Sequence, residues 1–376
     1  MTIRSQRHII SPPQACPAHL RGPSGRPLPQ VTFDIDDVAR AAWGEILQTA
    51  PNSTSLFAFL EDLLAPGPDL IWRGRGPGRG TEMRRSFSGL FGRFFARAYL
   101  EVHHEFVWFA AIDGDNYRLS PNWRVKRFTK AEMPDWICAR PGALAIGEAK
   151  GSHQKSNATG SGRPGPIKTA DGQIKGVRVQ RLTPTQRGPR WHNRSVKGWA
   201  VMSRWGLVDP PRAPFLYALD PETEGAPLTE AERDDLVQAV ARAHIEQTAY
   251  GLGLLKRVDG DMLGPAPRRH IRVTGDREKR QFAGAMITPF GPLDMEIAQA
   301  RALSELLPDP DLVRFVGLDQ GVFENYLQNQ PLVPRQRERI SDLAVVGKDG
   351  LVVAPCPVSV DLGLRSHGTC PRIRPQ

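Results

Sequence analysis

Cysteine is scarce in this 376-residue chain, and Cys16, Cys138, Cys356 and Cys370 form no Cys-x-x-Cys pair. That scatter argues against a disulfide scaffold and a structural zinc, and it suits a reducing compartment. No run of about 18 apolar residues occurs, so no transmembrane helix is expected. The first 30 residues are rich in Pro and Arg and have no apolar stretch of signal-peptide length. A cytoplasmic protein is the expectation. The Gly- and Arg-rich segment 73–80 does not end in Gly-Lys-Ser/Thr, which removes a P-loop. The turn Asp113-Gly114-Asp115-Asn116 lacks the further oxygen ligands of a calcium loop. There is no internal repeat and no low-complexity tract.

What the chain does carry is positive charge. The formal net charge is +10 with a pI near 9.7, and Arg outnumbers Lys 40 to 10. Such a balance points to a polyanionic partner. Residues 151–200 hold ten cations (Lys155, Arg163, Lys168, Lys175, Arg178, Arg181, Arg187, Arg190, Arg194 and Lys197) against the single acid Asp171. This block is the expected grip on a phosphate backbone, with salt-sensitive binding. Trp191, His192 and Trp199 lie within it and are candidates for stacking on an unpaired base.

The segment Met133 to Lys150 reads as two short strands folded on Pro141-Gly142. Along the second strand Glu148 and Lys150 point the same way, because side chains alternate faces. A turn centred between residues 141 and 142 pairs positions equidistant from that centre, and Asp135 and Glu148 are equidistant from it. Two carboxylates facing each other repel unless a positive charge lies between them. A divalent cation suits that position, since Mg²⁺ takes hard oxygen ligands and keeps several waters. Lys150 would then hydrogen-bond the attacking water or the charged phosphate. Proline at 141 favours a four-residue loop on this centre over a two-residue type I′ turn, which needs positive φ twice.

Pro134-Asp135, twelve residues, then Glu148-Ala149-Lys150 resembles the PD-(D/E)xK nuclease superfamily, the restriction-endonuclease-like group. The triplet is the only acid-x-Lys in the chain. The resemblance implies an α/β fold with a restriction-endonuclease-like core, a mixed central sheet flanked by helices. It implies Mg²⁺, with Mn²⁺ as a substitute, held by Asp135 and Glu148, and DNA as substrate, with RNA the alternative. Action against foreign DNA or within a mobile element would fit. In that superfamily a helix ahead of the hairpin often adds an acid; here Glu82 and Glu101, at the ends of a helix over 82–100, are the accessory candidates. A glutamine on the following helix touches the site in some branches, which makes Gln173 a third.

The remaining pattern gives the frame. Residues 1–30 read as an irregular arm and 31–69 as helical, with helices over 34–48 and 53–64. The core is expected over 70–225 and an additional α+β C-terminal region over 226–376. Within the core, Arg84, Arg85, Arg93 and Arg97 load the polar face of the 82–100 helix, opposite Phe91, Phe94 and Phe95. A strand over 105–112, a helix over 167–180 and strands over 198–205 and 214–219 complete a sheet of four to five members. Thr229 opens a long helix, and His244 on its apolar side reads as a packed residue. Further on, strands are expected over 270–273 and 281–288, helices over 293–307 and 311–328, and a hairpin turning on 348–350. The rival readings are a nucleic-acid-binding protein without catalysis and a basic subunit of a larger complex.

Overall fold

The computed structural model describes residues 3–49, 65, 67–72, 80–152, 163–208, 211, 213–259, 262–265, 271–274, 281–288, 291–293, 314–341, 344–355 and 365–367. The fold is mixed α/β, and the chain divides into two compact units. The first comprises Met1–Ala42 and Leu60–Ala243, the second Trp43–Phe59 and His244–Gln376. The division expected near 225 thus falls later, inside a long helix whose apolar pattern runs on past the Asp220-Pro221 turn. The expected helix over 53–64, the loop 73–79 and the helix over 293–307 lie outside the described residues. Among those described, no helix is long and apolar enough to cross a membrane.

The first unit opens with β1 (Ile3–Ser11), β2 (Gln30–Asp34), α1 (Ile35–Thr49), β3 (Ile71–Trp72) and α2 (Thr81–His103). Next come β4 (Trp108–Ala111), β5 (Asn116–Ser120), β6 (Trp123–Arg127), β7 (Trp136–Arg140), β8 (Ala143–Ser152) and α3 (Gly165–Lys175). It continues with β9 (Val177–Thr183), β10 (Arg190–Ser195), β11 (Lys197–Arg204), β12 (Gly206–Leu207), β13 (Phe215–Leu219), β14 (Ala226–Pro227) and α4 (Glu230–Gly251). Seven strands form the central sheet in the order β2-β1-β13-β11-β8-β7-β4. It is mixed, since β1 runs parallel to β13 and β8 parallel to β11 while the other neighbours are antiparallel.

This sheet is larger than expected because the first residues are not an irregular arm. Arg7 to Ser11 pair with Phe215 to Leu219. The buried positions of β1 alternate as Gln6, His8 and Ile10, two of them polar, so hydrophobic periodicity does not reveal the strand. Gln6 Nε2 donates to Ser203 Oγ at 2.9 Å, and His8 Nε2 lies 3.0 Å from the Tyr99 hydroxyl, so each has a polar partner inside.

A second sheet, in the order β14-β10-β9-β6-β5, was not legible as one. Its β9 takes residues assigned to the tail of a helix: α3 stops at Lys175, Gly176 caps it, and the alternating Val177 and Val179 are buried in a strand.

The hairpin β7–β8 pairs Trp136 with Gly147, Cys138 with Ala145 and Arg140 with Ala143. Its loop is Pro141-Gly142 alone, two residues rather than the four expected. Gly142 has φ +75°. Proline fixes its own φ near −65°, so the pair suits a type II turn, where only the second centre needs positive φ.

Helix α2 lies on β8 through the odd-numbered residues Gly147, Ala149 and Gly151. A β-carbon on Gly151 would collide with the Ser88 carbonyl of α2, and one on Gly92 would collide with the Gly151 backbone. Small residues therefore set the distance between helix and strand. The even-numbered Glu148 and Lys150 take the opposite face, the side on which Ile174 of α3 packs close to Gly198 of β11.

In the second unit, β15 (Leu255–Asp259) and β16 (Met262–Pro265) form a hairpin, and β17 (Ile271–Thr274), β18 (Gln281–Thr288), β19 (Gly291–Leu293) and β20 (Arg314–Asp319) follow. α5 (Gln320–Leu327), β21 (Glu338–Ser341), β22 (Ala344–Val346), β23 (Leu351–Pro355) and β24 (Arg365–His367) complete it. The sheet order is β21-β22-β23-β20-β18-β17-β24, with β19 on β18. The helix expected over 311–328 is only its second half. Asp319 caps α5 by accepting from the Val322 amide at 3.1 Å, and the apolar residues before it are a central strand. His244 is a packed residue, fully buried between Gln48 at 2.8 Å and Asp349 at 3.2 Å.

Substituting Gly151→Ala is expected to cost about 3 kcal/mol or more of unfolding free energy, because helix and strand must part. Gly142→Ala should cost about 1 kcal/mol, the strain of one left-handed residue. Urea denaturation of both variants checks the order, and the reverse order would show that α2 does not rest on Gly151.

Candidate functional site

The register of β7 and β8, continued one step beyond Trp136 and Gly147, brings Asp135 opposite Glu148, as the spacing required. The two acids bind each other's strand. The Asp135 amide donates to Glu148 Oε2 at 3.0 Å, and the Ala149 amide donates to Asp135 Oδ2 at 2.7 Å. These bonds extend the ladder where regular pairing ends and fix both carboxyl groups at one edge. Lys150 Nζ stands 2.5 Å from Glu148 Oε1, on the same face of β8. Arg93 of α2 donates to Asp135 Oδ1, and its guanidinium lies 5.2 Å from the Trp136 ring centroid. The edge thus carries two acids flanked by two cations.

Burial decides how these charges behave. Glu148 is 2 % exposed, whereas the Lys150 side chain is 22 % exposed and reaches solvent. Desolvation and the neighbouring Asp135 raise the Glu148 carboxyl to about 8, against the opposing pull of Lys150 and the Asp135 amide. Burial is the larger cause, and the charge of Asp135 opposite adds to it, so the two carboxyl groups disfavour each other's ionisation. The donor set fits a hard divalent cation, since both groups are carboxylates brought to one end of the hairpin. Among the described residues no group of three His, Cys, Asp or Glu is placed to hold a metal, so the carboxylate set is this pair.

The accessory acids do not join it. Glu82 is exposed in the first turn of α2. Glu101 is buried at the other end, bound by Arg40 and by Arg97 Nε at 2.9 Å. Arg97 is itself fully buried, over the Phe109 ring at 4.8 Å, so it and Arg93 turn inward where a polar outer face was expected. The spacing of four from Arg97 to Glu101 was the available signal for that pair. Nothing in the spacing marked Arg93 as the partner of Asp135.

Gln173 is buried on α3 and donates through Nε2 to the Met133 carbonyl at 3.3 Å. It braces the chain entering Asp135 rather than touching the acids.

Four of the ten cations of the basic block pair with acids outside the window in which it was counted. Arg178 pairs with Glu224, Lys197 with Asp220, and Arg181 and Arg194 with Glu232. Arg163 and Lys175 share Asp171. Lys168, Arg187 and Arg190 are the exposed cations of the block that have no carboxylate partner among the described residues; Lys155 lies outside them. Trp199 is a core residue 4.1 Å from the His104 ring, not a stacking surface, while Trp191 is half-buried and His192 exposed.

Glu232 shows what such pairing contributes. It closes a capping box, accepting from the Thr229 amide at 3.1 Å while Thr229 Oγ1 accepts from the Glu232 amide at 3.2 Å. Arg194 first, then Arg181, lower its carboxyl to about 2. A depressed acid stabilises the fold above its unfolded value of 4.5 and loses that contribution as pH falls toward 2. Glu232→Gln is therefore expected to cost about 2 kcal/mol near neutrality. The gap to wild type should close in acid, as read from urea melts across pH; a gap independent of pH would exclude the ionic cause.

No protein-family model, curated protein or solved structure matches the chain.

Proposed function

We propose that the chain is a metal-dependent nuclease that hydrolyses phosphodiester bonds of DNA, with a restriction-endonuclease-like core. The observation that carries this reading is the hairpin register that sets Asp135 opposite Glu148 with Lys150 one step along the same face. Asp135 and Glu148 would hold Mg²⁺ or Mn²⁺. When bound, the cation supplies Lewis-acid stabilisation of the negative charge growing on the phosphate.

The chain's own groups do the rest. Burial and Asp135 raise the Glu148 carboxyl, and a divalent cation held by the pair would favour its ionised form, since ligating carboxylates are ionised. The Lys150 ammonium, bonded to Glu148 yet open to solvent, donates to the attacking water or to a phosphate oxygen. Arg93 competes for Asp135 Oδ1 and is 27 % exposed, within reach of an incoming phosphate. Gln173 and the Ala149 amide keep Asp135 in place.

A second reading, a nucleic-acid-binding protein without cleavage, is favoured by one observation. The helix beside the acids presents Arg93 where a third carboxylate would complete the ligand set.

Cleavage of circular and linear DNA with Mg²⁺ or Mn²⁺ separates the two. Asp135→Asn and Lys150→Ala are each expected to slow cleavage about 10²- to 10³-fold. Intact DNA that is nevertheless bound by the wild type would leave the second reading.

Metal binding has its own pH signature. The Glu148 carboxyl is raised from 4.5 to about 8, so between those values the folded state holds a proton that the unfolded state releases. Stability without metal falls as pH rises through that window. The melting-temperature gain on adding Mn²⁺ should grow over the same window and vanish in Glu148→Gln. An equal gain at pH 6 and pH 8.5, or one retained in the variant, would show that the ion binds elsewhere.

A further inference from the structure

The five-stranded sheet has one covered face and one open face. On the covered face Trp123 Nε1 donates to Asp235 of α4 at 2.7 Å, Arg181 and Arg194 reach Glu232, and Val125, Val177 and Val179 are buried. The register puts the alternate residues on the other side. Arg118 of β5 lies opposite Arg124 of β6, Arg124 opposite Gln180 of β9, and Gln180 opposite Asn193 of β10. Arg124 Nε donates to Gln180 Oε1 and Gln180 Nε2 to Asn193 Oδ1, both at 2.8 Å, which locks this polar row across three strands.

Two aromatic rings lie among the cations of this face. The Trp191 ring centroid is 4.0 Å from the Arg124 guanidinium and 5.9 Å from that of Arg118. Phe128, 50 % exposed, has Lys126 Nζ at 5.5 Å and the Arg178 guanidinium at 5.6 Å. Among the described residues no carboxylate pairs with Arg118, Arg124 or Lys126, although Arg178, Arg181 and Arg194 of the same sheet each have one. Arg118 and Arg124 directly oppose each other, an arrangement that costs stability unless an anion comes between them. Burial and Arg118 both push Arg124 below its ordinary value, consistent with that repulsion.

We infer that this open face binds an unpaired nucleic-acid strand, with phosphates on Arg118, Arg124 and Lys126 and a base stacked on Phe128. Charge complementarity calls for a polyanion, and the exposed ring narrows the class. A duplex offers phosphates but hides its base faces, and a purely acidic peptide such as polyglutamate offers carboxylates but no flat ring to stack. The face also connects to the acid pair. The Phe128 amide donates to the carbonyl of Gly176, which caps α3, at 2.9 Å, and Gln173 of that helix holds Met133, so the eight residues from Phe128 to Asp135 are tied to α3 and its cap at Phe128 and Met133. At most about 25 Å separates them along the chain, so a strand held on the sheet is near the acids.

The test is fluorescence anisotropy of a labelled oligothymidylate in EDTA, where no cleavage occurs. Phe128→Ala should weaken binding about tenfold, while Phe128→Trp retains it. Removing Arg118 and Lys126 together should lower the salt dependence of binding by about 0.7 in log–log slope per cation. A duplex of the same length should bind more weakly than the single strand and respond little to Phe128→Ala. Unchanged affinity in Phe128→Ala, or polyglutamate or duplex competing as well as the single strand, overturns the inference. Single-strand binding with these responses, in a protein that never cleaves, would sustain it while the nuclease reading falls. Cleavage that persists with no loss of binding in Phe128→Ala would do the reverse.

Discussion

Two like charges are held face to face at the end of a hairpin that cannot slip. The Pro141-Gly142 turn fixes the centre of the pairing, and a shift by one residue would drive Glu148 into the layer beneath α2 and bring Ala149 out. That layer leaves no room for such a shift. Gly147, Ala149 and Gly151 form a face with almost no side chain, and α2 lies so close that even a methyl group at Gly151 meets its backbone. The position of the acids is therefore set from the opposite side of the sheet, by residues with no chemistry of their own.

The same closeness brings Arg93 to Asp135. A longer side chain beneath β8 would lift α2 and carry the guanidinium away, so one packing constraint governs both the acid pair and the cation beside it. Arg97, one turn further along, goes inward with its acid at i+4 and becomes part of the core. Two arginines of one helix, similar in sequence context, thus have different partners because one meets Glu101 locally and the other meets a strand end far away in the chain.

Legibility followed the range of the interaction. The hairpin could be read because its determinants are local: a Pro-Gly turn, an apolar strand and three polar residues at fixed distances from the centre. The strand β1 could not, since its buried positions are Gln6 and His8, partnered by Ser203 and Tyr99 far along the chain. The ion pairs of residues 151–200 could not be read for a related reason. A window counts what lies inside it, and Glu224, Glu232 and Asp220 lie outside. In β6 the run Trp123-Arg124-Val125-Lys126 does alternate, yet its arginines drew attention to charge rather than to period.

Ion pairs in this molecule fall into two kinds. Glu232 with Arg181 and Arg194, and Glu101 with Arg40 and Arg97, are acids whose charge is answered within the fold. Asp135 and Glu148 lie face to face, and burial together with that opposition raises the Glu148 carboxyl even beside Lys150. Arg118 and Arg124 also lie directly opposite each other, with the Trp191 ring beside them. Like charges set opposite each other lower stability, so their place in a fold that balances charges elsewhere is explained most simply by a ligand of opposite sign. One such place sets two acids opposite each other, the other two arginines. A divalent cation at the first and a polyanion at the second are complementary requirements, and both are met by an enzyme that cuts a phosphate backbone while holding part of it unpaired.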